Sequence, residues 1–441
     1  MMKRLIQTYN HQDTLLMVSL YPKKGELYSS GTSGLASYAK NIVTHMNHRI
    51  VVLADRHGKK DEIYEEKGVL VLRCFERNNP LLWFQILKKL FLFPAARSIL
   101  IQFDFAVYGG NLPTFSIVFF LGILRFMGKQ VSIVMHHVVL DAFKLKGHIG
   151  LKDNFAGLIK GSLYNAIFQL FYRLSCHLSD KTVVLEEALR QNLGKIVDKD
   201  KIVTIPHGVD TEIQNLEKEE SRKKLKIGKD EYVVMFFGYI NWFKGADFFV
   251  EAFGNVEKVL NKNTRFILAG GESPTMIDRP HYRDYYGKII DSAGKSHKVE
   301  ITGYIPQKDL AAYFSAADII VLPYRHFMTA SGVLSLVFSY RKPFIISEEL
   351  KSMFDSEDFR DALSSSGLKI SDMVFELDHK SCLSTAENVL VNGLKAKMTR
   401  MAGIIREKRS YRNTAMIYDN IISPHNHYSL HKLQTLGYTQ N

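Results

Sequence analysis

The sequence predicts an α/β protein of two doubly wound parallel-sheet domains that face each other across a cleft. Three observations lead there. Short β-branched runs alternate with longer helical patterns from end to end, which means parallel sheets with helices on both faces. The strand candidates number more than ten, too many for one comfortable open sheet. The length, 441 residues, corresponds to two or three domains at about 150 residues each.

In chain order, the first set of strands is expected at 15–20, 50–54, 69–72, 99–103, 131–135, 181–185 and 202–205. Each is an apolar run too short for a helix. The second set falls at 232–238, 264–269, 299–302, 319–322 and 343–347. Helical periodicity fills gaps at 34–46, 82–93, 115–127, 246–260, 307–316 and 332–340. The segment 206–220 (PHGVDTEIQNLEKEE) carries turn residues and then a charged run, and marks the domain boundary. The expected division is 1–206, 207–422 and a polar, weakly periodic tail, 423–441. Ligands of such folds bind outside the carboxyl ends of the strands, here where the two sets meet.

Hydrophobic residues make up 46% and charged residues 23%, the balance of a soluble globular chain and not of a disordered one. The longest apolar run, 115–124 (FSIVFFLGIL), is about half of what a transmembrane helix needs. Lys3 and Arg4 precede only a short apolar run without a small-residue cleavage site, so 14–21 reads as a first strand and not a signal peptide. Cys74, Cys176 and Cys382 show neither CxxC nor Cys/His spacing, which argues against disulfides and structural zinc and for a reducing cytosol. Charge is uneven. Residues 1–210 hold 27 Lys and Arg against 17 Asp and Glu, a balance of +10, and the rest 31 against 28. Anionic partners are therefore expected on the first half. No basic run interleaved with stacking aromatics is present, so nucleic acid is not expected among them.

Four segments carry candidate chemistry. In 317–347 a buried strand ends at Leu322-Pro323 and a helix begins at Ser331-Gly332. The N–H groups of Ser331, Gly332 and Val333 would face the cleft as a phosphate site, although Ser331 equally suits an ordinary helix cap. In 233–253 an apolar strand ends at Gly238, and Lys244-Gly245 opens a helix. A lysine there can neutralise a diphosphate, and taken singly it also reads as a solvated side chain. In 29–42 (SSGTSGLASYAKNI) a Gly/Ser/Thr loop follows the first strand, with Gly31 and Gly34 not in GxGxxG spacing. It reads as a phosphate-cradling turn or a solvent loop. His136 follows the strand VSIVM and precedes His137. It can serve as acid/base or hydrogen-bond donor, or be an ordinary loop histidine. Adjacent histidines point apart, so at most one should face the cleft.

In order and spacing these segments resemble the family 4 glycosyltransferases of the GT-B fold, which has two Rossmann-like domains. The matching pieces are SGLASYAKNI, IVMHHV, VTIPHGVDTE, FFGYINWFKGADFFVEAF, FILAGG, VEITGYIPQKDLAAYFSAADIIVLPY and ASGVLSLVFSYRKPFIIS, spanning about 20 to 350. The resemblance implies sugar transfer from a nucleotide-diphosphate donor, with retention at the anomeric carbon, to a saccharide or lipid-linked acceptor in polysaccharide or glycolipid synthesis. It implies that Lys244 contacts the diphosphate, that Gly34 approaches the phosphate from the other domain and that His136 touches the donor sugar. Gly238 and Tyr239 would border the donor, and Tyr304 and Ile305 would lie near the base.

Two departures stand out. Tyr239 takes the place of a common family arginine. Met328 and Leu336 stand where the family commonly carries two glutamates, which normally meet the donor sugar and the ribose. Some branches have SGV at the helix start instead, as Ser331-Gly332-Val333 does. The departures leave open a GT-B protein that binds without catalysis. A sugar-nucleotide epimerase ranks lower, since its catalytic carboxylates find no match. No cofactor or metal is expected: there is no DxD at a cleft strand, and lysine with helix dipoles stands in for a cation. The segment 80–97 (PLLWFQILKKLFLFPAAR) sets Trp83, Phe84, Phe91 and Phe93 around Gln85, Lys88 and Lys89. It reads as a helix on an anionic membrane surface or as one packed on its sheet. The expected location is cytoplasmic, with peripheral attachment at the inner membrane face.

Overall fold

The computed structural model describes residues 2–28, 33–105, 107–256, 258–259, 262–296 and 298–422. The glycine loop at 29–32, with Gly31, and the tail at 423–441 lie outside the described residues.

The first sheet holds β1 (Thr14–Ser19), β2 (Arg49–Asp55), β3 (Glu62–Glu66), β4 (Val69–Phe75), β5 (Ser98–Phe103), β6 (Gln130–Met135), β7 (Lys181–Val184) and β8 (Ile202–Thr204). Their order is β3-β4-β2-β1-β5-β6-β7-β8. The second holds β9 (Tyr232–Phe237), β10 (Lys258–Val259), β11 (Lys262–Ala269), β12 (Val299–Ile301), β13 (Ile319–Leu322), β14 (Phe344–Ser347) and β15 (Val374–Phe375). It runs β10-β11-β9-β13-β14-β15, with β12 against β11. β1 and β4 are buried along their whole length, as strands covered on both faces are. Order reverses at β1 and at β9, which places a ligand crevice at the carboxyl end of each.

Pairing is parallel except in two hairpins that the sequence reading did not anticipate. β3 is EIYEE, a charged edge strand with little buried surface to betray it. It returns to β4 through Lys67 and Gly68, both at positive φ (50° and 76°), the geometry a two-residue hairpin turn requires. The helix expected over 246–260 stops at Phe253, and the chain then turns into the β10–β11 hairpin. The longest helix, Phe155–Leu178, was assigned no element from sequence. Apolar residues lie all round it, so no 3.6-residue stripe separates a buried face from a wet one.

The two sheets are tied by the backbone and by buried charge. Val138 N–H donates to Met328 O (2.9 Å), and His137 bridges to Thr329. Arg409 reaches Glu186 of the first unit (2.8 Å) while also binding Asp358, all three buried. The helix Tyr411–Ile422, last among the described residues, packs on Gly34–His45, where the Tyr38 and Tyr418 hydroxyls lie 2.9 Å apart. It thus rests on the first sheet's unit.

Candidate active site

Lys244 is placed by a loop with little freedom. Gly238 follows β9 at φ 122°, and a short 3-10 turn, Trp242–Lys244, leads to Gly245 at φ 72°. A side-chain carbon on Gly245 would fall 2.0 Å from Pro323 O, so only glycine lets this turn press on the end of β13. Arg325 clamps the loop: its N–H donates to Phe243 O (2.7 Å) and its guanidinium to Trp242 O (2.9 Å) and Asp247 (2.6 and 2.8 Å). Lys244 Nζ then lies 3.2 Å from where a Gly238 Cβ would stand, with Val333 Cγ2 3.0 Å from the same point. Among the described residues no carboxylate pairs with this half-buried ammonium. Burial pulls its pKa down to about 8.

Val333 belongs to the helix Gly332–Ser339. Ser331 caps it by accepting from Leu334 N–H (3.1 Å), and its hydroxyl lies 3.0 Å from that of Tyr324. Gly332 is exposed and a side chain there would meet nothing within 4 Å. The structure therefore brings Gly238, Lys244 and the 331–333 helix start together. Ser331 is itself buried, with its hydroxyl engaged by the cap and by Tyr324. Where glutamates are common, Met328 is buried and Leu336 half-buried, and this loop meets the first unit through Met328 O.

His136 and His137 point apart. His136 is buried in the first unit, edge-on to Tyr38 (5.1 Å), with Nε2 2.7 Å from Gln102 Oε1. An amide oxygen accepts only, so Nε2 carries the proton, and burial drives the ring's pKa to about 3. His137 instead lies 3.1 Å from Asp104 Oδ2. Burial disfavours its charge, but Asp104 outweighs burial and raises the pKa. The Lys244 charge lowers the pKa of His137 and of His148. The sequence reading passed over Asp104, although it follows β5 at the same carboxyl-end position that singled out His136 after β6.

Tyr239 and Tyr304 lie near-parallel, 21° between planes and 6.4 Å between centroids. Burial pushes Tyr239 up to about 12. Ile305, next to Tyr304 in sequence, is buried. Tyr28 N–H, from the loop after β1, donates to Gln307 Oε1 (3.1 Å), so this end of the cleft is bridged. Gly34 opens its helix, exposed and with free space about it, behind the Ser33 cap. Among the described residues no group of three His, Cys, Asp or Glu is arranged to hold a metal, and no helix is long and apolar enough to cross a membrane.

Two families match by sequence: Glycosyltransferase Family 4 over 32–213 and Glycosyl transferases group 1 over 217–336. The chain is a family 4 glycosyltransferase. An uncharacterized glycosyltransferase of Methanocaldococcus jannaschii is 25% identical over 175 residues, 37% of this chain and 42% of that one. A D-inositol 3-phosphate glycosyltransferase of Corynebacterium glutamicum is 28% identical over 131 residues, 29% of this chain and 30% of that one. This glycosyltransferase thus spans less than half the length of either relative. Its fold is similar to that of the Anabaena protein HepE, solved in complex with UDP-glucose, with TM-score 0.60 and 13% identity over 93% of this chain and 98% of that one. The fold is GT-B.

Proposed function

We propose that this glycosyltransferase moves a hexose from a nucleotide-diphosphate sugar to a saccharide or lipid-linked acceptor, with retention and without a metal. The observation that carries this reading is Lys244, a half-buried cation that no carboxylate meets among the described residues, set against Gly238 and the start of the helix Gly332–Ser339. An anion is the missing partner. A diphosphate there would neutralise the ammonium and meet the N–H groups of Ser331, Gly332 and Val333. Those donors stand in for the absent family glutamates. Gly34 approaches the phosphate from the first domain (1–206), and the donor rests mainly on the second (207–422).

The base rests against Tyr304 and Ile305, with Tyr239 stacked beside them. Aromatic planes suit a nucleobase face, and the donor-bound relative in fold supports a nucleotide sugar. His136, neutral at the end of β6 with its one N–H given to Gln102, leaves Nδ1 to accept a hydrogen bond from a sugar hydroxyl. His137, held toward its charged form by Asp104, adds positive potential near Lys244. As the bond to the leaving diphosphate breaks, negative charge grows on phosphate and positive charge on the sugar ring. Fixed donors and Lys244 favour that separation most where charge develops. The acceptor hydroxyl then attacks from the face the diphosphate leaves, and the departing phosphate takes its proton.

The inositol-phosphate relatives and the +10 balance of the first half support an anionic or lipid-linked acceptor in polysaccharide or glycolipid synthesis. They also support a cytoplasmic protein seated peripherally on the inner membrane face. Met328 and Leu336 favour one second reading, a protein that binds donor without turnover. A thermal-shift panel of UDP, GDP and ADP sugars, followed by donor hydrolysis, separates the two. Stabilisation with hydrolysis supports transfer, stabilisation alone supports the second reading, and no stabilisation by any donor overturns both.

A further inference from the structure

Among the described residues, fourteen of the eighteen large hydrophobic side chains that stand exposed fall between 81 and 174. Ten of them lie on three helices, Leu82–Leu90, Ile117–Phe126 and Phe155–Leu178, and the other four, Leu81, Phe91, Leu92 and Leu112, lie outside those helices. These helices are neighbours: Trp83 stacks on Phe120 (5.0 Å), Phe115, just before the second helix, meets Phe171 (5.6 Å), and Arg125 donates to His177 O (3.2 Å). Trp83 and Phe120 are the buried, inward side of that packing. The outward side is apolar. Phe119, Ile123 and Phe126 form one stripe at helical spacing, with Phe119 77% and Phe126 93% exposed. Phe155, Ile159 and Leu163 form a second exposed row at helical spacing on the longest helix. A soluble surface does not ordinarily gather so much apolar area.

Charge identifies what covers it. From 81 to 178 the chain has ten Lys and Arg, three Asp and no Glu. Asp104 faces His137 and Asp153 pairs with Lys146, so two of the three acids are already met. Lys88 lies over the Phe84 ring (4.5 Å) and Lys160 over Tyr164 (5.6 Å), so ammonium groups are interleaved with the apolar side chains. A second copy would bring like charge against like charge. An anionic lipid surface matches both features: acyl chains take the rings, and headgroups take the ammoniums.

We propose that this three-helix face docks the enzyme on an anionic bilayer, with Phe119, Phe126 and Phe155 entering the headgroup region. The face leads to the cleft. Asn165 of the long helix accepts from Ala142 N–H (2.6 Å), and the segment that follows Ala142 carries His148 edge-on to Phe243 (5.1 Å), next to Lys244. A lipid-linked acceptor would thus reach the donor from the docked side. That consequence rests on the glycosyl-transfer reading, whereas the docking face does not.

The test is co-sedimentation of the full chain with phosphatidylcholine vesicles containing about one-third phosphatidylglycerol, alongside pure phosphatidylcholine. The expected result is binding to the anionic vesicles only, released by salt above physiological strength. Phe119→Asp with Phe126→Asp should weaken binding at least about tenfold. Lys88→Glu with Lys160→Glu should also weaken it. Both doubles should keep the wild-type melting temperature and donor thermal shift, since all four side chains stand outside the donor site. Failure of the wild type to bind, or equal binding by both doubles, overturns the proposal. Dimerisation of the wild type that Phe119→Asp abolishes assigns the face to a second copy and also overturns it. Vesicle binding without any donor shift leaves docking standing and removes the glycosyl-transfer reading.

Discussion

Lys244 and Gly238 are a close pair: the lysine ammonium lies 3.2 Å from where a Cβ on residue 238 would stand, tighter than side-chain carbons ordinarily pack. Gly238 also sits at φ 122°, a conformation that other residues adopt only under strain. Gly238→Ala should therefore cost about 1–3 kcal/mol of stability and displace Lys244. Chemical denaturation measures the first, and donor titration of the folded variant the second.

Lys244 titrates low because burial disfavours its charge, to about 8. Its positive form is present below that value and is lost as pH rises through it. Donor affinity should accordingly fall from pH 7 to pH 9 in calorimetric titrations, and Lys244→Ala should flatten that dependence.

Gly332→Val should abolish donor binding with little change in melting temperature. The position is exposed and open, so the fold accepts a side chain that a ligand lying on the helix start does not. Thermal melts with and without nucleotide sugar read both outcomes.

The two histidines should titrate in opposite ways. His136 should stay neutral at every pH above about 5, its pKa being near 3. His137 is raised by Asp104, so the stability it contributes is complete below its unfolded pKa and is lost as pH rises through the folded one. Asp104→Asn leaves burial unopposed and should lower the His137 value below the ordinary range. Imidazole resonances followed by NMR across pH distinguish the two rings.

Arg409 joins Glu186 of one unit to Asp358 of the other. Arg409→Met leaves two buried carboxylates without their cation and should cost about 3–5 kcal/mol. Burial already lifts the Glu186 pKa to about 7 even with Arg409 present, so the loss should be larger at high pH, measurable by urea denaturation.

The core strands were legible because parallel strands buried on both faces must be continuous apolar runs, and 319–322 was placed to the residue. β3 was not, since EIYEE is an edge strand whose partner, not its pattern, makes it a strand. The Lys244 loop and the Ser331 cap could be read from glycine and serine punctuation. The Asp104–His137 pair could not: it joins the ends of β5 and β6, and only the parallel register between them brings the two side chains together. The outward apolar face was half seen. Phe84 and Phe91 are exposed as the 80–97 segment implied, but Trp83 and Phe93 are core, and the greater part of the face lies on helices 117–126 and 155–178.

The most direct test of the account is donor-induced stabilisation of the wild type and of Lys244→Ala, measured by thermal shift with a panel of UDP, GDP and ADP sugars. At a hundred times its dissociation constant, one sugar nucleotide should stabilise the wild type by about 2.7 kcal/mol. The same sugar should lose at least tenfold in affinity for Lys244→Ala, about 1.4 kcal/mol. Equal stabilisation of both proteins would place the diphosphate away from Lys244 and contradict the site described.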